Sequence, residues 1–486
     1  MRLLIILLFF SVVEILAQQQ KLSTHSRLAE KMYVESLDCM NKQDFQGAID
    51  KLNKAVEADP KFIEGFLLMS DAYSTINDNA GAIKCYQKAI EIDPTFFPPA
   101  YYYQGELYAK QGNYAEALND INLFLATGKA SQRLQIMASR IKSNCTFAID
   151  ALKHPVSFNP ENIGSGVNTK YDEYWPSISI DNQTIIFTRL LPKNPNIPIS
   201  YQNCQEDLFS SNFDNNQWST AKELGSPINT SDNEGTQTLS SDGNVMFFTA
   251  CNRTEGLGSC DIYFSFREGD KWSKPVNVGE PVNSKFKETQ PSLGSDGRTL
   301  YFASNRPGGK GNMDIWRSSL QEDGKWSQPV NLGDSINTPY DEQSPYIHSD
   351  NKTLYFSSDG WPGMGGFDIF LSRQTGENKW SAPQNLGYPI NSYKDEYGLV
   401  VNSEGTKAYY SSNRDPQKGR HSPSYYFGYK KFLSCLLNKV WFRLTFDEFW
   451  SGPTRVLWEQ KDKFYLLWIF LDNCQELSLW PIRVLC

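Results

Sequence analysis

Residues 326–350, WSQPVNLGDSINTPYDEQSPYIHSD, decide the architecture, because nearly every landmark in them recurs 54 positions away. Trp326 belongs to a series with Trp218, Trp272 and Trp380. Gly333 belongs to another, with Gly225, Gly279 and Gly387, set in LGSPIN, VGEPVN, LGDSIN and LGYPIN. Turn signals keep the same period: SDG at Ser241 and Ser295, SDN at Ser349 and SEG at Ser403, with DNQ at Asp181 as an earlier counterpart. Each is followed by a short apolar run (TIIFT, VMFFT, TLYFA, TLYFS, KAYYS) and a loop, mostly glycine-rich. Then, in all but the last unit, Asp207, Asp261, Asp314 or Asp368 opens an Asp-aliphatic-aromatic triplet.

Each period reads as four short strands. An alternating first strand turns at Asp-Gly into the apolar second, the loop leads to the Asp-led third, and a turn such as EGDK or EDGK leads to a fourth that opens at tryptophan. A four-stranded unit repeated on a strict period is a propeller blade. Residues 159–177, NPENIGSGVNTKYDEYWPS, read as the end of one unit running into the next. That places a lone fourth strand at the start, able to close the ring against the last unit. The expected fold is multidomain, α plus all-β. Its propeller of five to six four-stranded blades covers residues 155–420, with the last blade incomplete.

Ahead of it, residues 29–128 repeat at 34 to 35 positions. Ala48, Ala82 and Ala117 mark tight helix contacts where only a small side chain fits, and Pro60 and Pro94, each after Asp, end a helix. GAIDKLNKAVEADP and GAIKCYQKAIEIDP resemble the tetratricopeptide repeat, and GNYAEALNDINLFLATG keeps the second-helix pattern without the final proline. The resemblance implies a superhelix of stacked helical hairpins over residues 27–150, with a concave face for peptides or partner segments.

The second repeat, DExxPSxSxDGxxLYFxSxR followed by DIY and WxxPxNLG, resembles the WD40-like repeats related to the TolB propeller. With the helical block before it, the chain is similar to exported Bacteroidetes proteins of the OmpA family, some of which belong to type IX secretion and gliding machinery. That family commonly carries a C-terminal OmpA-like domain that grips peptidoglycan, and nothing after residue 420 resembles one. Five of the 12 tryptophans and three of the nine cysteines lie in residues 421–486. That tail reads as out of register, the alternative being a divergent natural tail. Peptidoglycan is a partner only if a missing domain exists.

The formal net charge of -8 argues against a nucleic-acid partner. Arg2 precedes the apolar run LLIILLFFSVV, too short to anchor in a bilayer and suited to a secretory signal over residues 1–17. The mature chain is expected to be exported and periplasmic or outer-membrane-associated, with no membrane span. In an oxidising compartment Cys251 and Cys260 either pair or stand as two small free apolar residues; the sequence leaves both open.

No catalytic constellation is legible: there is no GxSxG elbow and no HExxH, and the four histidines are scattered. No cofactor is expected. The Asp-Glu pairs at Asp172, Asp341 and Asp395 recur once per unit, which favours a structural role. Asp207, Asp261, Asp314 and Asp368 are read as binding loop amides rather than calcium. SNRPGGKGN at residues 304–312 has a lysine among glycines, but Lys310 is followed by Gly311 and then a strand, so it is a turn and not a phosphate loop. Asn252, Arg253, Asn305, Arg306, Asn413 and Arg414 recur at one loop position and are the candidate partner-binding residues. Blade four has Asp359 and Gly360 there instead. The function expected is a non-catalytic envelope scaffold that binds envelope proteins or peptide segments. The alternative is a propeller enzyme or glycan-binding protein acting on sugars or peptides.

Overall fold

The computed structural model describes residues 22–128, 130–158, 160–197, 200 and 203–414, together with the strands Tyr425–Lys430, Arg455–Glu459 and Phe464–Trp468. The expected leader at 1–17 lies outside the described residues, as does the tail apart from those strands. The last two strands pair antiparallel in a separate unit.

Among the described residues seven helices come first: α1 Arg27–Asn41, α2 Phe45–Ala58, α3 Ile63–Thr75, α4 Asn79–Ile92, α5 Pro99–Lys110, α6 Tyr114–Ala126 and α7 Gln132–Lys153. Four of them open on a side-chain cap. Ser26, Asp44, Asp78 and Ser131 cap α1, α2, α4 and α7 by accepting from amides three residues on. α2 and α4 stop one residue before Asp59-Pro60 and Asp93-Pro94, whose prolines cannot continue a helix. Ala48, Ala82 and Ala117 are fully buried, as their spacing predicts.

Five antiparallel sheets follow. Their inner strands, Asp172–Ile178, Glu234–Leu239, Glu288–Leu293, Glu342–Ile347 and Glu396–Val401, touch one another in cyclic order and close a ring. The propeller therefore has five blades. The last one, expected to be incomplete, is completed past residue 420: Tyr425–Lys430 takes the third position and the early strand Glu161–Asn162 takes the fourth.

The periodic tryptophans are staples between blades. Trp218, Trp326 and Trp380 each set their rings edge-on to an aromatic on the second strand of the preceding blade: Tyr409, Phe247 and Tyr301, at 6.4, 6.1 and 6.2 Å. The expected continuous fourth strand is broken. In blades one, two and four it is two short pieces, Gln217–Trp218 with Lys222–Glu223, Lys271–Trp272 with Val276–Asn277 and Lys379–Trp380 with Gln384–Asn385. Pro275 and Pro383 fall in the gaps of blades two and four and cannot donate to a ladder, whereas the gap in blade one holds no proline. Side-chain bonds bridge the break, Ser265 Oγ to Ser273 O and Ser372 Oγ to Ser381 O, both 2.7 Å.

The helices end on blade four. The Tyr114 hydroxyl donates to Met364 O at 3.0 Å, and Arg140 lies 4.1 Å over the Tyr340 ring and 3.5 Å from Asp359. Tyr114, Ala117, Cys145 and Ala148 bury Met364, with Tyr388 against the cluster. The loop in which blade four departs from the repeat is thus the seat of the helical layer.

Candidate functional site

Each inner strand carries a glutamate at its start, second in blade one and first in the others, and Glu173, Glu234, Glu288, Glu342 and Glu396 are all 0 % exposed. Each accepts from the amide and hydroxyl of a Ser or Thr four residues earlier. Four of them also face an arginine: Arg189 at 2.9 Å from Glu173, Arg253 at 3.1 Å from Glu234, Arg306 at 3.0 Å from Glu288 and Arg414 at 3.2 Å from Glu396. Burial raises Glu173, Glu234 and Glu396 above the usual carboxylate range, against the pull of these partners.

The three arginines expected to face a partner are therefore turned into their own blades, with side chains 6, 11 and 20 % exposed for Arg253, Arg306 and Arg414. They also donate to the carbonyls of Ile228, Val282 and Ile390. Asn305 and Asn413 accept from the amides of Lys287 and Asp395, at 2.9 Å each, and the Asn252 amide donates to Ser259 O at 3.0 Å. Cys251 and Cys260, directly opposite on paired strands, are joined by a disulfide. Asp261, Asp314 and Asp368 accept from the loop amides of Leu257, Lys310 and Met364. Asp207 instead accepts from the Gln205 carboxamide at 3.0 Å. Among the described residues no group of His, Cys, Asp and Glu is placed to hold a metal.

Blade four has no arginine here. Trp361 fills the space, and its indole N–H donates to Ile336 O at 2.9 Å, the carbonyl that completes the series Ile228, Val282 and Ile390. Glu342, left without a cation, is pushed up to about 7 by burial, its hydrogen bonds to Thr338 and Ser358 notwithstanding.

A second ring was not legible in the sequence. Trp175, Thr236, Gln290, Ser344 and Gly398 share one blade position and all have left-handed φ, between 50 and 65°. Each lies at a bulge where the inner strand slips register against the second. The bulge turns an amide out of the ladder toward the neighbouring blade. Trp175 N, Thr236 N and Gln290 N donate to Ser411, Thr188 and Thr249 hydroxyls on the preceding blade, at 3.2, 3.0 and 3.0 Å. For Ser344 the matching residue, Ala303, has no hydroxyl, and Gln290 Oε1 accepts instead at 2.7 Å. Five unlike residue types give no sequence signal; Gly398 alone could have hinted at the backbone.

The bulges surround a central cavity of about 120 Å³, lined by all five inner strands. Trp175 crosses it, its indole N–H donating to Ser344 Oγ of the non-adjacent blade four at 3.0 Å. Gly398 makes this possible, since a Cβ there would meet the Trp175 ring at 2.7 Å.

On the helical layer, the first helices of three hairpins bring together Tyr33, Glu64, Asp71, Tyr103 and Glu106. The Tyr33 hydroxyl is pushed up to about 12 by burial and by Glu64 and Asp71, and Tyr103 to about 12 by burial and by Asp71 and Glu106. Asp71 itself is raised to about 7 by burial, although Tyr86 donates to it at 3.1 Å.

The tetratricopeptide repeat family matches residues 63–96 and 85–119. No curated protein matches the chain. Among solved structures, the TPR2B-domain:pHsp70-complex of yeast Sti1 is 21 % identical over 25 % of this chain and 98 % of that one, with a TM-score of 0.22. The first TPR of Spaghetti (RPAP3), bound to HSP90 peptide SRMEEVD, is 19 % identical over 24 % and 95 %, at 0.23. A puromycin-hydrolysing peptidase of Mycobacterium tuberculosis is 12 % identical over 54 % and 36 %, at 0.31. The two matched stretches and the ring of five sheets join tetratricopeptide repeats to a β-propeller.

Proposed function

We propose that this protein is a non-catalytic scaffold of the cell envelope, exported and working in the periplasm or at the outer membrane. The observation that carries the reading is the acidic, tyrosine-rich face of the tetratricopeptide helices. There Tyr33, Glu64, Asp71, Tyr103 and Glu106 gather on successive first helices, the place where stacked hairpins present a surface to extended segments. Partners are envelope proteins or their peptide segments, and peptidoglycan only where an OmpA-like domain completes the gene product. The leader-like residues 1–17 and the repeat resemblance support export and an envelope role, with secretion or envelope organisation as the setting.

Affinity capture of the native chain from envelope extracts, with Glu106→Lys as comparison, tests this. A defined partner whose recovery falls with Glu106→Lys is the expected result. Equal recovery from both chains, or residence of the native protein in the cytoplasm, would overturn it.

A further inference from the structure

The central cavity lies apart from the helical face, and its chemistry is distinctive. A propeller normally has a through-channel, but Trp175 reaches from blade one to Ser344 of blade four and passes over Gly398 of blade five. Around it, Gln237 Nε2 donates to Trp175 O at 2.9 Å, and Gln290 holds the Ser344 amide. One end is therefore crossed by an indole. The other is a rim where Ser241, Ser295 and Ser403 hydroxyls donate to Ser295, Ser349 and Ile180 carbonyls of neighbouring blades. Between them the wall is made only of Ser, Thr, Gln, Pro, Tyr, Trp, Gly and aliphatic residues, without one formally charged side chain.

We propose that this cavity binds one neutral polyhydroxylated ring, a hexose-sized sugar that is either free or the terminal unit of a glycan. Its walls offer hydroxyl and carboxamide groups and an indole against which the apolar face of a sugar ring can pack. A charged ligand would lose its hydration against walls with nothing to neutralise it. The 120 Å³ lies below the roughly 150 Å³ that encloses a benzene ring, so the sugar enters through the open rim with only part of its ring inside.

Saturation-transfer NMR on the full chain tests the site with glucose, galactose, mannose and N-acetylglucosamine as neutral probes, glucuronate as the charged one, and linear oligomers of each neutral sugar. At least one neutral monosaccharide, or the terminal residue of its oligomer, should receive saturation, while glucuronate should not. Monosaccharide binding alone identifies a free sugar as the source, and terminal-residue binding a glycan end. Trp175→Phe should weaken binding roughly ten-fold. Ser241→Phe, which fills the exposed rim without touching the core, should abolish it and keeps the test valid if the first variant does not fold. No saturation of any neutral probe, saturation of internal glycan residues, equal response from glucuronate, or binding that survives Ser241→Phe would each overturn the proposal.

Discussion

Blades three and four begin from nearly the same 54-residue unit and solve one problem in opposite ways. Both bury a glutamate held by a residue four positions earlier, Glu288 by Ser284 and Glu342 by Thr338. Blade three neutralises its carboxylate with Arg306, whose own charge is disfavoured by the same burial. Blade four substitutes an indole at the matching carbonyl and leaves the carboxyl unmatched. That loop is the one that receives α6 and α7, so the repeat gives up an ion pair where it gains a docking surface.

The largest effect should come from breaking the blade-three pair. Arg306→Leu strands a fully buried carboxylate, with an expected loss of about 3–5 kcal/mol in urea unfolding. Trp361→Phe at the matching place removes one hydrogen bond and should cost only about 1 kcal/mol. If the two variants proved equal, the contrast between the blades would collapse.

The second test is pH. Glu342 titrates at about 7 in the folded chain against an ordinary value of 4.5. The folded state therefore keeps a proton that the unfolded chain releases, and stability falls as pH rises through this window. The loss from this group is on the order of 3 kcal/mol between the two limits. Glu342→Gln should remove that slope, whatever constant offset it adds, when unfolding is compared across pH 4.5 to 8.

Blade two provides the third, since only it carries a disulfide among the described residues. Replacing Cys251 and Cys260 with alanine should cost about 2–3 kcal/mol, seen as a lower urea midpoint, and reductant should shift the parent alike but not the variant. The smallest effect belongs to the seat itself. Tyr114→Phe removes a buried bond to Met364 O and should cost about 1 kcal/mol, most visibly as faster proteolysis between the helical layer and the propeller.

Much of this was legible in the residues. The 54-residue series of tryptophan, glycine and Asp-Gly turns specified blades, and the 34-residue alanines specified helical hairpins, because both report short-range packing repeated in place. The early strand at residues 161–162 was foreseeable as the closing piece from the truncated unit that contains it. The site was less legible. The loop arginines stood out by recurrence, yet recurrence marked them as partners of the recurring glutamates rather than as a surface. Trp361 could not be read as a stand-in for arginine, since the two share only a donor and a flat shape.

By itself, then, the sequence determined the two repeat systems, their order and the closing of the ring, since each depends on contacts within a unit or with an identical neighbour. Tertiary structure alone decided the left-handed bulges, the indole across the channel and the seating of the helices on blade four. Those depend on residues brought together from distant blades, as with Trp175 and Ser344, and no period in the chain records which side chain will meet which across a closed ring.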